Sequence, residues 1–458
     1  MLLFLVPAFT EGISNGLGIT PPRGWRSWNQ FDTNIHQDLI EAQYLALVDR
    51  SRKVDGVPTS LLDLGYSTAG IDDGWQKCNS GPQGVGFHDA AGYPIVDTSK
   101  FPNMKSMTAK ARSLGLIAGW YVNNCMCKET RPSCAFDINA TENTCFAGDV
   151  KATIDFGFGS LKIDSCGIQR NMTHYAHLFN LSEHAVVLED CHNGNPYHPI
   201  RTANDHIDCP MNLFRTSGDI RPQWGSILSN LMTTVEFNSG LAGPGCWGYP
   251  DMLEVGVSQM PARGSLNFLT PSETRTHFAA WCIVSSPLTL SHDLTNKTTM
   301  DAVWPIITNR EALAVNDAWA GDAGTLVKKS DEMVPFTNCA WGFNRNCEHA
   351  ATMVWKKMLP GGKMAVLLMN NRNVSSDINI TWREDLLPDL HFRCAPGGCP
   401  VRDIYAHKDL GLFAGGGFTA KQVPPHDSVF IVVRQCAKQP TYPFECVNTT
   451  HHRRTHAF

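Results

Sequence analysis

Carboxylates, two cations and several aromatic rings recur in this sequence at places where one polar substrate could meet all three. The densest stretch is Ser160-Leu161-Lys162-Ile163-Asp164-Ser165-Cys166. Leu161 and Ile163 supply strand-favouring bulk, and Phe156-Gly157-Phe158-Gly159 breaks the chain before them. Residues two apart on a strand project to one side, so Lys162 and Asp164 leave it together. Such charges need a partner when they lose water. A structural ion pair at the strand end would supply one, and so would a shared polar ligand.

Other segments end in similar groups: Trp28, Asp72 and Asp73, Tyr121, Glu189 and Asp190, Arg215 and Asp219, and Asp251. A single aspartate at a loop start is accounted for by capping of the next helix. A ring of carboxylates with Lys162, Arg215 and tryptophans suits a sugar better. Carboxylates accept from hydroxyls, Lys and Arg donate to them, and indole faces pack on C–H surfaces. Hydrolysis of a glycoside would need two of the carboxyl groups across the scissile bond.

The elements that must carry these groups alternate between apolar strand and amphipathic helix. Strands are expected at 23–28, 66–75, 116–121, 160–166, 184–189, 214–219, near 250–252 and at 287–290. Helices are expected at 37–54, 104–113, 150–156, 227–235 and 273–284. In the first helix Leu39, Ala42, Leu45 and Ala46 share one face. Eight such units over residues 18–320 predict an α/β fold, a (β/α)8 TIM barrel. A doubly wound sheet would carry Gly-x-Gly-x-x-Gly after its first strand, which is absent here. From 321 to 446 short alternating runs punctuated by Gly and Pro predict a C-terminal antiparallel β-sandwich domain. Residues 1–17 read as the remnant of a signal or leader segment, and 447–458 as a basic, disordered tail.

Composition narrows the setting. The chain has 458 residues, 43% hydrophobic, enough for a large core and a second domain. Its net charge is -5 and no run of like charge stands out, so nucleic acid is not expected as a partner. No apolar run reaches membrane-spanning length, so no membrane is expected either. Sixteen cysteines, with close pairs at Cys125/Cys127, Cys134/Cys145, Cys339/Cys347, Cys394/Cys399 and Cys436/Cys446, suggest disulfides. Zinc is the competing reading, but there is no Cys-x-x-Cys. Glycosylation acceptors begin at Asn139, Asn171, Asn180, Asn296, Asn373, Asn379 and Asn448. Together these predict a secreted or lysosomal/vacuolar protein.

Several motifs resemble one family in order along the chain. They are Trp25-Arg26-Ser27-Trp28-Asn29-Gln30-Phe31, Ile71-Asp72-Asp73-Gly74-Trp75, Lys162-Ile163-Asp164-Ser165-Cys166, Arg215-Thr216-Ser217-Gly218-Asp219-Ile220, Gly243 to Leu253 and Ser285 to Leu294. The sequence is similar over residues 18–320 to the α-galactosidase (melibiase) group, glycoside hydrolase family 27, and continues into a β domain like that family's. The resemblance implies a retaining double displacement on terminal α-linked galactose, with Asp164 as nucleophile and Asp219 as general acid/base. It implies that Lys162 lies beside Asp164. Asp72 and Asp73 would accept from the axial and primary hydroxyls, Lys162 and Arg215 would hold ring hydroxyls, and Trp28 and Tyr121 would form the apolar wall. Asp251 matches a position near the site.

No metal and no cofactor is expected. The partner would be an α-galactoside oligosaccharide or glycoconjugate, and a homodimer is compatible with the sequence. The resemblance also implies a Cys191–Cys209 disulfide and a pairing of Cys166 with Cys125 or Cys127.

The sequence departs from the pattern in three places. Gly74 and the region of Thr33 lack the cysteines of many relatives, consistent with loss of a whole bridge. Glu189-Asp190-Cys191-His192-Asn193-Gly194 stands where relatives read the sugar 2-position, which opens α-N-acetylgalactosaminidase or β-L-arabinopyranosidase as alternatives, with His192 a candidate reader. Tyr249 replaces a common aspartate. A galactose-binding protein on a degenerate barrel is the non-enzymatic alternative.

Overall fold

The computed structural model describes residues 13, 15–127, 134, 144–191, 199–201, 207–238, 240–258, 268–339, 345–386, 398–414 and 416–434. The expected basic tail, most of the expected leader, and His192 lie outside them.

Among the described residues the main sheet of the first domain joins eight strands: β1 (Arg23–Arg26), β2 (Tyr66–Gly70), β3 (Ile117–Val122), β4 (Ser160–Asp164), β5 (Val187–Cys191), β6 (Leu213–Arg215), β7 (Trp247–Tyr249) and β8 (Leu288–Leu290). They lie in the order β7-β6-β5-β4-β3-β2-β1-β8, each pair parallel. Just beyond β7 the Leu253 amide donates to the Thr289 carbonyl of β8 at 2.9 Å, which links the two ends of the ladder. Helices α1 (Gln37–Val48), α2 (Met104–Ser113), α3 (Thr144–Phe156), α4 (Met172–Ser182), α5 (Trp224–Asn238), α6 (Pro271–Ile283), α7 (Lys297–Ile307) and α8 (Arg310–Asp317) complete the α/β barrel. Between β5 and β6 the described residues hold a short hairpin, Ile200–Arg201 with Ile207–Asp208, in place of a helix.

Several expected boundaries move, and the movement matters for chemistry. β1 stops at Arg26, and a one-turn helix, Trp28–Phe31, carries Trp28. β6 stops at Arg215, so Asp219 stands on the following loop, and β7 ends ahead of Asp251. β5 runs through Glu189 and Asp190, which are buried strand residues rather than tip residues. The inward face of α1 also differs from expectation. It is Ile40, Tyr44 and Leu47, and Leu45 is 51% exposed. A polar residue hides that face in the sequence. Gln43 is buried there because its amide donates to Asp293 Oδ1 at 3.0 Å and accepts from the Leu294 amide at 2.9 Å.

The second domain is an antiparallel sheet of β9 (Thr325–Lys329), β10 (Thr352–Leu359), β11 (Lys363–Asn370), β13 (Cys399–Asp403), β14 (Lys408–Phe413) and β16 (Ser428–Arg434), in the order β9-β10-β11-β16-β13-β14. A second layer pairs β12 (Ser376–Thr381) with β15 (Gly417–Val423). Strand alternation divides the work of the large sheet. Met353, Trp355, Leu367, Met369 and Phe430 join the barrel's own apolar core. Their neighbours Val354, Val366, Leu368 and Ile431 pack with Ile378, Ile380 and Phe418 inside the sandwich. One face of the sandwich is therefore part of the barrel's core.

Candidate active site

The strand ends open into a cavity of about 520 Å³. Trp28, Asp72, Tyr121, Lys162, Asp164, Arg215, Asp219 and Asp251 all line it, so eight of the nine expected site residues converge from every part of the first domain. Asn29, Cys125, Ser165, Cys166, Gly218 and Met252 complete the wall and were not among the expected site residues. Each adjoins an expected residue or sits in a disulfide beside one, which is the signal that could have found them.

Asp164 ends β4, which pairs with β3 through Tyr121↔Lys162 and with β5 through Asp164↔Cys191. The strand is thus held on both sides up to Ile163, and on the β5 side up to Asp164 itself. The Tyr121 hydroxyl donates to Asp164 Oδ2 at 2.7 Å and the Ser165 amide to Oδ1 at 2.5 Å. The Asn123 side-chain amide donates to the Asp164 main-chain carbonyl. Burial, then the neighbouring Asp164, Asp73 and Asp72, push the Tyr121 phenol well above its ordinary pKa, so it remains a donor.

Lys162 does not form the ion pair with Asp164 that one reading of that stretch gave it. Its ammonium donates to Asp72 Oδ2 at 2.9 Å and lies 5.0 Å from the centre of the Tyr121 ring. Burial opposes the charge, but Asp72 foremost, then Cys191 and Asp164, hold the Lys162 pKa above its ordinary value. The cation is therefore permanent and already committed to one carboxylate.

On the opposite side Arg215 Nη1 lies 2.9 Å from Asp219 Oδ1 and 3.4 Å from Asp251 Oδ2. Arg215 thus reaches carboxylates directly, where the expectation gave it ring hydroxyls alone. Asp251 has φ 78°, a strained setting for a non-glycine residue. It is held there by the Ile220 amide at 2.9 Å on Oδ2, the Met252 amide at 2.7 Å on Oδ1 and the Trp281 indole at 2.7 Å on its carbonyl. Asp251 therefore ties down the loop that carries Asp219. Burial pushes its carboxyl above the ordinary range, against Arg215.

Asp73 is placed differently from expectation. It is 1% exposed and does not line the cavity. Its oxygens accept from the Gly74 amide at 2.9 Å, the Met126 amide at 2.8 Å, the Cys125 amide at 3.1 Å and the Gln76 side chain. It anchors the segment that brings Cys125 to the cavity wall. Burial, ahead of these donors, pushes its pKa up to about 6.

The disulfides correct two expectations. Cys125 pairs with Cys166, one of the two pairings the resemblance implied, so the close Cys125/Cys127 pair does not form and Cys127 bonds Cys78 instead. Cys209 pairs with Cys246, while Cys191 is a buried free thiol whose Sγ lies 3.9 Å from Asp164 Oδ2. Cys134–Cys145 and Cys339–Cys347 form as expected. Among the described residues, the groupings able to hold a metal are His88 with Cys134 and Cys145, and Asp164 with Cys125 and Cys166. Both contain disulfide sulfurs, which are not thiolate donors. At the expected missing bridge, Thr33 and Gly74 do lie together. A Cβ on Gly74 would meet the Thr33 carbonyl oxygen at 2.6 Å, and the Lys100 ammonium clamps the Thr33 and Gly74 carbonyls at 2.9 and 3.0 Å.

Comparison with known proteins gives a consistent answer. Residues 20–318 match the family model for alpha galactosidase A, and residues 350–433 match that of the alpha galactosidase C-terminal beta sandwich domain. An α-galactosidase of Cyamopsis tetragonoloba is 27% identical over 413 residues, covering 88% of this chain and 83% of that protein. A Saccharomyces cerevisiae α-galactosidase solved with raffinose superposes with a TM-score of 0.70 at 19% identity, over 93% of this chain and all of that one. A family 27 β-L-arabinopyranosidase from Geobacillus stearothermophilus, solved with arabinose, also superposes with a TM-score of 0.70, at 17% identity over 94% of this chain and all of that one.

Proposed function

This chain belongs to the alpha galactosidase A family and is a glycosidase, and we propose that it releases terminal α-linked galactose by a retaining double displacement. The observation that carries the proposal is that Asp164 at the end of β4 and Asp219 on the loop after β6 face one cavity of about 520 Å³ in different surroundings. Asp164 attacks the anomeric carbon as the bond to the leaving oxygen breaks and Asp219 gives that oxygen a proton. A galactosyl ester on Asp164 results. Water then attacks the same carbon, Asp219 takes its proton, and the ester bond breaks, so configuration is retained.

The remaining wall positions the sugar. Lys162 and Asp72 together present a donor and an acceptor to adjacent hydroxyls, Trp28 offers an apolar face, and Arg215 holds Asp219. Asp73 acts here through the Cys125–Met126 segment rather than on the sugar. The disulfides support a secreted or lysosomal compartment. Among the described residues no helix is long and apolar enough to cross a membrane.

The test is hydrolysis of an aryl α-galactoside, followed by trapping with a fluorinated galactosyl fluoride and peptide mapping. A label on Asp164, and loss of about 10⁴-fold or more in kcat for Asp164→Asn, are expected. A label elsewhere, or an untouched aryl α-galactoside, would overturn the proposal. Aryl α-N-acetylgalactosaminide and aryl β-L-arabinopyranoside, run in parallel, decide the substituents at the 2- and 5-positions.

A further inference from the structure

Beneath the cavity the barrel holds a belt of charged groups that do not line it. Arg26 of β1 and Glu189 of β5 are 6% and 2% exposed. Arg26 donates Nη1 to Glu189 Oε1 at 2.7 Å and Nη2 to Oε2, a two-point pair across the barrel. The Tyr249 hydroxyl of β7 donates to Glu189 Oε1 as well. The same Arg26 lies 3.9 Å through Nε from Asp72 Oδ2, the oxygen that takes Lys162 at 2.9 Å. Two buried cations therefore stand around one carboxylate oxygen, and only Lys162 holds it.

We infer that Glu189 is a positioning residue for the sugar-binding pair Asp72–Lys162, acting by holding Arg26 away from Asp72. The inference rests on the glycosidase reading, since it concerns how that site grips its sugar. A buried guanidinium does not stay without a carboxylate. If Glu189 loses its charge, the other carboxylate paired with Arg26 among the described residues is Asp72. Arg26 offers a planar two-point contact that an ammonium cannot match, so it takes the carboxylate from Lys162. Lys162 is then released towards Asp164, whose field it already feels. The sugar loses an oriented acceptor and donor at once. Tyr249 contributes by adding a donor to Glu189 from the third side, which fixes the carboxylate plane that Arg26 reads.

A purely structural belt makes a different prediction. Removing one member would lower stability and leave sugar affinity alone. The two are separated by measuring kcat, KM and the inhibition constant of free galactose, with unfolding midpoints, for wild type, Glu189→Gln and the double variant Arg26→Leu/Glu189→Leu. Glu189→Gln should weaken galactose binding and raise KM by about tenfold, the loss of roughly one charged hydrogen bond, with a smaller change in kcat. The double variant removes the competitor as well as its partner, so galactose binding should return to within about threefold of wild type.

A folded Glu189→Gln enzyme with wild-type KM, or a double variant binding no better than the single one, overturns the inference while leaving the glycosidase reading intact. If Glu189→Gln does not fold, Glu189→Asp decides. It keeps the charge but draws the carboxylate back by one methylene, and should weaken galactose by about threefold. An unchanged affinity there refutes the positioning role. A wild-type protein inert towards aryl glycosides removes the glycosidase reading and this inference together.

Discussion

In the folded protein the Lys357 ammonium of β10 is buried against the end of α8, donating to the Val315 carbonyl at 2.6 Å and the Asn316 carbonyl at 3.0 Å. Burial pulls its pKa from the ordinary 10.5 down to about 7, against the opposing pull of Cys282, Asp322 and Asp317. In the unfolded chain the lysine keeps its proton up to its ordinary pKa, whereas the folded protein releases it near neutrality. Between those limits the unfolded state binds more protons, so stability rises with pH. Below the folded pKa both states are protonated and this contribution is flat.

From pH 7 to pH 9 the linkage amounts to about 2 kcal/mol in favour of the folded protein. Lys357→Met keeps most of the volume and abolishes the titration. Urea unfolding of both proteins at pH 7, 8 and 9 should show wild type gaining about 2 kcal/mol on the variant across that range. The residue ties the sandwich to the barrel, whose cores are continuous, so one transition should report it. Parallel stability curves for the two proteins would refute both the buried, proton-shedding lysine and the linkage built on it.

Three further outcomes are expected. Asp219→Asn should slow substrates with poor leaving groups by about 10³-fold and spare dinitrophenyl galactoside in its first step; equal losses on both would count against a proton donor. Lys100→Met should lower the unfolding free energy by about 1–2 kcal/mol, because two main-chain carbonyls at Thr33 and Gly74 lose their shared cation; an unchanged urea midpoint would show that the clamp contributes nothing. Non-reducing peptide maps should link Cys209 to Cys246 and Cys125 to Cys166, with Cys191 and Cys282 alkylated only after denaturation; a Cys191–Cys209 peptide would restore the original expectation.

What could be read from the sequence follows from the range of the interactions involved. The strands announce themselves through local patterns, as with Leu161 and Ile163 after a glycine break, so the barrel was legible. The polar tips were legible too, because ordered motifs placed Asp164, Asp219 and their neighbours together by resemblance. Pairing across the barrel was not. Nothing near Lys162 in the chain says that its partner is Asp72 rather than Asp164, since that choice depends on where β2 and β4 end. Gln43 hid the inward face of α1 because its two hydrogen bonds come from the Asp293–Leu294 turn, far along the sequence. The Cys125/Cys127 and Cys191–Cys209 pairings failed for the same reason. Cys127 lies two residues from Cys125, yet each bonds to a different distant loop. Asp73 reads like Asp72 in one dimension and differs only once the Cys125–Met126 amides fold over it.

The two proposed catalytic carboxylates differ in a way that follows from their supports. Asp164 terminates a strand flanked on both sides, with a hydroxyl and an amide fixing separate oxygens. A nucleophile gains from this, since a displacement of about 1 Å can cost about 10²-fold in rate. Asp219 stands on a loop with its side chain 32% exposed, while the Arg215 that holds it is 4% exposed. A group that must both give a proton to the leaving oxygen and take one from water needs access to solvent, and a nucleophile does not. The buried Arg215–Asp251 contact then limits how far that accessible loop can wander, because Asp251 also holds the amide of Ile220 beside Asp219. Precision is built into the strand, and exchange with water into the loop. The buried charges beneath them are arranged so that neither carboxylate has to serve as the counter-ion of Lys162 or Arg26.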